Sequence, residues 1–149
     1  MPATLTIPWV YNDGGRKAAG HPGPASDCVT RAIAIATGLP YDDVASRINS
    51  YAQRERKTKR RRHKSTATTG VYKPTWKRLM RDLGWTWVPT MHIGSGCTVH
   101  LRASELPGGR LVVSVSRHMC AVIDGQLHDT YDCSREGTRC VYGYYFKNA

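Results

Sequence analysis

The chain is poor in several things, and each shortage narrows what it can be. It has no apolar run approaching the ~18 residues that a membrane-spanning helix needs, so no span is expected. Its opening residues, MPATLTIPWVYNDGG, lack the basic-then-apolar order of a secretion signal, and a cytosolic location is the default expectation. There is no Cys-x-x-Cys pair among the cysteines at 28, 97, 120, 133 and 140, which removes the usual structural zinc sites. Five is an odd number, so a full disulfide framework would leave one thiol over, and free thiols in a reducing compartment are the expectation. His92, His100 and His128 match no standard ligand spacing with these cysteines, so neither a metal nor another cofactor is expected. Phenylalanine occurs once, but eight Tyr and four Trp supply large rings for a core. With 149 residues, 40% of them hydrophobic, the chain suits one folded domain.

Acidic residues are also scarce, 11 against 22 Lys and Arg, giving a formal net charge of +11. The excess is local. Residues 54–64, RERKTKRRRHK, contribute +7 of it. An exposed segment facing an anionic neighbour is expected there, not a wholly basic surface.

The order of elements follows from the punctuation. Residues 1–26 are rich in Pro and Gly and read as loop, with a short strand possible at Thr4–Val10. A helix should begin near Ser26 or Asp27, either of which can cap it, and run through CVTRAIAIAT to Gly38. A second helix starts at Asp42–Asp43, with Val44, Ile48, Tyr51 and Ala52 on its apolar stripe, and gives way to a basic mobile loop at about 54–70. Pro74 opens a third, with Trp76, Leu79, Met80 and Leu83 on one side. WTWVPT alternates like a strand ending at Pro89. Strands are then expected at CTVHL, RLVVSVS, HMCAVID, QLHDTYD and CVYGYYF, with a turn or short helix at ASEL. Helices first and strands afterwards indicate an α+β domain with a mainly antiparallel sheet.

One constellation carries chemistry. Cys28 is expected in the first turn of a buried helix, where free N–H groups and the helix dipole favour a thiolate. Asp27 beside it works the other way. The hairpin HMCAVIDGQLHDTYD supplies partners. A two-residue turn at Asp124-Gly125 sets Ile123 opposite Gln126, Ala121 opposite His128, Cys120 opposite Asp129 and His118 opposite Tyr131. A four-residue loop gives the same pairing; a three-residue loop would not. Alternation then puts His118, Cys120, Asp129 and Tyr131 on one face, with His128 and Asp132 on the other. His118 and Asp129 become diagonal neighbours at roughly 7–8 Å between Cα atoms. A carboxylate so placed fixes the imidazole tautomer and stabilises its cation. The first helix must pack on that face for Cys28 to reach His118. Cys120, inside the sheet, reads as packing.

The stretches SDCVTRAIAIATG, SRHMCAVIDG and HDTYD resemble the papain-like cysteine peptidases, in particular small bacterial and phage-type members. The resemblance implies a Cys-bearing central helix packed on a C-terminal sheet. It carries the catalytic roles to Cys28, His118 and Asp129, and a cytoplasmic setting in a bacterium or a phage-infected cell. One departure concerns the oxyanion donor. The family places Gln or Asn about six residues before the cysteine, where this chain has Pro22. Asn12 is the nearest upstream amide, and the backbone N–H of Cys28 is another donor.

These readings lead to a cysteine-dependent hydrolase acting on a peptide, isopeptide or other amide, or transferring the acyl group to an amine. The alternative is a nucleic-acid- or acidic-partner-binding protein on the same scaffold, as a phage protein acting on a host pathway would be. Its binding groups would be Arg54, Arg56, Lys57, Lys59, Arg60, Arg61, Arg62 and Lys64. Tyr51, Tyr72 and Trp76 would be available for stacking. On the first reading the same basic run suggests an acidic substrate.

Overall fold

The apolar run after Asp27 folds into helix α1, Cys28–Thr37, and Gly38 ends it in the left-handed conformation (φ 77°) with its N–H on the Ala34 carbonyl. A computed structural model describes residues 6–21 and 26–147. Helices α2 (Tyr41–Ala52) and α3 (Lys73–Asp82, with Pro74 in its first turn) follow. The strands are β1 (Trp9–Tyr11), β2 (Thr86–Pro89), β3 (Arg110–Val115), β4 (His118–Ile123), β5 (Gln126–Asp129) and β6 (Val141–Phe146). They form one six-stranded sheet in the order β1-β5-β4-β3-β6-β2. Only the β1–β5 pairing is parallel. The domain is therefore α+β with a mixed sheet, antiparallel over most of its width. No helix among the described residues is long and apolar enough to cross a membrane.

The β4–β5 turn sets the register on which the site depends. Asp124 and Gly125 both take positive φ (48° and 75°), as a two-residue turn matched to strand twist requires. Ile123 pairs with Gln126 and Ala121 with His128, as the sequence predicts.

The sheet is covered on both faces. On one, Ile33 and Ala36 of α1 pack with Val44, Ile48, Leu79 and Met80 of α2 and α3 against Val112, Met119, Ala121 and Tyr145. On the other, Leu101, Leu106 and Cys133 from the loops cover Leu111, Val113, Cys120, Val122, Leu127 and Val141. Helix α1 thus lies over the face of Met119 and Ala121, opposite to that of Cys120, and the expectation that it packs on the Cys120 face is corrected. Met119 and Ala121 supply the apolar surface that α1 buries, while Cys120 faces the second core.

Other expectations need correction. CTVHL makes only an isolated bridge, His100 to Cys140, and no strand. The expected N-terminal strand lies later, at Trp9–Tyr11, and its first residues, 4 and 5, are outside the described part of the chain. Cys97 and Cys140 are not free thiols: they form a disulfide across that bridge, with Cα atoms 5.7 Å apart, inside the range such a bond needs. Cys28, Cys120 and Cys133 remain unpaired. The segment expected as a mobile loop is tied to the body at several points. The Glu55 carboxylate accepts from the Ser65 N–H and hydroxyl and from the Thr75 hydroxyl, and Lys64 donates to the Gln53 carbonyl.

Candidate active site

Three elements bring the site together at one end of the sheet. Cys28 opens α1, His118 opens β4 and Asp129 closes β5. Because β4 and β5 are antiparallel neighbours, the start of one and the end of the other coincide. His118 Nε2 lies 2.6 Å from Asp129 Oδ2, a charge-assisted hydrogen bond between two buried side chains. The Cys28 sulfur lies close enough to His118 and to the Met119 backbone N–H for both to lower its pKa. The Tyr131 ring lies against the imidazole, centroids 5.4 Å apart. Cys28, His118 and Asp129 are thus joined in the order the sequence predicts.

The charges follow from this packing. Burial pulls the His118 pKa down, but hydrogen bonds to Asp129, Cys133 and Cys28, with the Asp129 charge, outweigh it and hold the imidazole at about 11. Burial pushes the Cys28 thiol up; the His118 hydrogen bond and charge, the Met119 N–H and the Arg31 charge bring it below its ordinary value. For Asp129, burial raises and His118, the Thr130 N–H and Arg31 lower, with a net fall. All three shifts favour thiolate, imidazolium and carboxylate together.

A second ring of charge supports the first, and it is absent from the sequence prediction. Arg31, one turn into α1, bonds the Asp27 carboxylate and reaches Asp129 Oδ1 at 3.4 Å. Asp27 is the N-cap residue of α1, but its side chain makes no capping hydrogen bond. Its carboxylate instead accepts from Arg31, from the Tyr41 hydroxyl at 2.8 Å and pairs with Arg16 at 3.3 Å. The objection that Asp27 would oppose a thiolate is met: two guanidiniums neutralise it. The i, i+4 spacing of Asp27 and Arg31 was the available signal.

Cys133 also touches the site. It hydrogen-bonds Cys120 and His118, and the Cys120 contact lowers its pKa while raising that of Cys120. At 1% exposure it is closed to solvent, whereas Cys28 lines the main cleft. The donors of His118, Asp129 and Cys133 lie within 4.8 Å of one another, a set that could hold a metal. The 2.6 Å contact between His118 and Asp129 is too short to admit an ion between them, so a metal would first have to break the hydrogen bond that orients the imidazole.

Asn12 is not brought to the sulfur. Its amide NH₂ faces His128 Nδ1 at 3.2 Å and its carbonyl accepts from the Gly14 N–H, which fixes it as part of the turn after β1. The amide expected as an oxyanion donor is thus engaged elsewhere. Pro22, at the position where an amide was sought, lies outside the described residues. The first N–H groups of α1 have no acceptor within the helix and remain as donors. His100 is held by Glu105 and His92 lies in the cleft wall.

Cys28 and His118 stand in a cleft of about 890 Å³. Its walls are largely apolar: Val29, Val71, Trp87, Met91, Val115 and Tyr142 contribute, with Arg117 and Lys73 as charged members. Trp87 packs against Trp76 and Tyr145 (centroids 6.1 and 4.9 Å), which makes that wall rigid. Trp85 is buried beneath it, so both tryptophans of β2 and its approach serve as core and cleft wall. Comparison with known proteins gives no matching family model, no matching curated protein and no matching solved structure.

Proposed function

We propose that this chain is a cysteine-dependent hydrolase or acyltransferase with a papain-like arrangement of its site, acting on an amide bond of a peptide or protein. The observation that carries the reading is the His118–Asp129 hydrogen bond beside Cys28, with the Cys28 sulfur close enough to the imidazole for each to shift the other's pKa and both residues lining an open cleft. With Nε2 committed to Asp129, His118 Nδ1 is the nitrogen that exchanges a proton with the substrate.

The Cys28 thiolate attacks the carbonyl carbon, and the developing oxyanion takes hydrogen bonds from backbone N–H groups at the head of α1. Collapse breaks the C–N bond, and His118 gives its proton to the leaving amine. The neutral imidazole then takes a proton from water, or from an acceptor amine, as that nucleophile attacks the thioester. The second collapse releases the acid or the new amide and restores thiolate and imidazolium. Asp129 keeps the imidazole oriented throughout and stabilises its charged form, without itself taking the proton. The apolar walls suit a substrate with large apolar side chains beside the scissile bond. Unpaired Cys28, Cys120 and Cys133 fit the reducing cytoplasm, while the Cys97–Cys140 disulfide fits an oxidising setting, so the location rests on the redox state of that pair in the cell.

A peptidyl electrophile that acylates or alkylates active-site thiols, followed by mass mapping, tests the reading. One adduct on Cys28, absent from Cys28→Ala and strongly slowed in His118→Ala, is expected. Equal total labelling in Cys28→Ala would remove the proposal.

A further inference from the structure

We infer that the arginine-lined hollow beside the catalytic cleft is an exosite for an acidic segment of the polypeptide substrate. The inference rests on the hydrolase reading for the word substrate, but the binding it describes does not need catalysis.

The hollow has a volume of about 150 Å³ and is lined by Arg54, Arg56, Arg61 and Arg78, with Tyr51 and Tyr72. That is well below the roughly 300–1,000 Å³ of a small-molecule pocket, so it takes a group the size of a carboxylate side chain. Tyr72 lines both this hollow and the cleft that holds Cys28, so the two are neighbours that share a wall residue. A chain lying across Tyr72 would enter both. Among the described residues, none of the four arginines forms an ion pair. Glu55 also borders the hollow, yet its carboxylate is held by Ser65 and Thr75, and its charge offsets only part of the four positive ones.

The hollow is also preorganised. Glu55 fixes one end of the basic segment to Ser65 and α3, and a turn bonds the Thr58 N–H to the Arg61 carbonyl at 2.9 Å. Arg61 lies over the Tyr72 ring (4.6 Å) and Arg54 over Tyr51 (5.7 Å). These stacked guanidiniums also choose between ligand classes. Single-stranded nucleic acid needs free aromatic faces for its bases. Here both tyrosines carry an arginine on one face, and Trp76, the third ring that flanks the run, is only 6% exposed. Fixed guanidinium forks in a small hollow suit side-chain carboxylates instead.

Fluorescence anisotropy on the Cys28→Ala protein tests this with two labelled peptides. One carries a run of Asp and Glu, and the other has Asn and Gln at the same positions. The acidic peptide should bind about tenfold or more tightly than the neutral one, with affinity falling as salt rises. Arg54→Glu with Arg61→Glu should weaken acidic-peptide binding by about tenfold. Arg54→Gln with Arg61→Gln should weaken it less, in the same direction. Arg135→Glu, a charge reversal in the loop after β5, should leave it within about twofold. Equal binding of the two peptides, or no effect of either double substitution, would overturn the exosite. So would a single-stranded RNA displacing the acidic peptide at lower concentration than unlabelled peptide does. Such a failure leaves labelling of Cys28 untouched, and failure of that labelling leaves the anisotropy result standing.

Discussion

Two regions of this molecule use the same kinds of charge in opposite ways. At the head of α1, Asp27, Arg31, His118 and Asp129 are buried, and each is answered by an opposite charge. Along residues 54–64 the cations are largely exposed, and the acid among them is spent on holding the loop. The first arrangement is committed to the fold. Removing one member leaves another without its partner in a low-dielectric setting. The second is committed to solvent and to whatever anion arrives, and contributes little to stability. The contrast teaches that net charge alone is a poor guide to the candidate site: the most basic segment is not where Cys28, His118 and Asp129 meet.

The largest effect expected from breaking the contrast comes from the buried side. Arg31→Ala should destabilise the protein by roughly 3–5 kcal/mol, because Asp27 and Asp129 both lose a buried counter-charge. Urea unfolding would measure it, and Arg31→Lys should recover part of the loss. Next is Asp129→Asn, which keeps the shape and removes the charge. It should lower the His118 pKa from about 11 and slow acyl transfer by several orders of magnitude, with a smaller change in substrate affinity.

The pH dependence of stability separates the regions as well. His118 is raised from 6.5 to about 11, so its contribution is complete below 6.5 and is lost as pH climbs through about 11. Asp129 is lowered, so its contribution is complete above the ordinary carboxylate range and is lost on acidification through its folded value. Cys28 is lowered from 9.0, so its contribution is complete above 9.0 and is lost as pH falls through its folded value, which offsets part of the histidine loss just below 9.0. Unfolding midpoints should therefore fall as pH climbs from 6.5 toward 11, less steeply below 9.0 than above it. Tyr41→Phe, which takes one hydrogen bond from Asp27, should cost about 1–3 kcal/mol in the same assay. The smallest effect belongs to the exposed side: neutralising Lys57 and Lys59 should change stability by no more than about 0.5 kcal/mol.

How much of this was legible in the sequence depended on whether local chemistry decided it. Asp124-Gly125 fixes its own turn, and with it the pairing that sets His118 near Asp129. Gly38 ends α1 because a left-handed residue is needed there. Which face of the sheet α1 covers was not legible, since both faces of β4 are apolar and only the competition between two cores assigns them. The Cys97–Cys140 pairing depends on a contact across 43 residues, which no spacing rule contains. Asn12 could be seen as an amide in the right part of the chain, but its claim on His128 arises only once β1 lies beside β5. Arg31 was hidden by its setting, a lone cation in a helix otherwise read as apolar.

The rate of Cys28 alkylation by iodoacetamide as a function of pH, with the modified residue mapped, tests the central claim most directly. The account predicts an apparent pKa below 9.0 in the native protein that rises in His118→Ala. A Cys28 that titrates at or above 9.0, or that ignores the loss of His118, would contradict it.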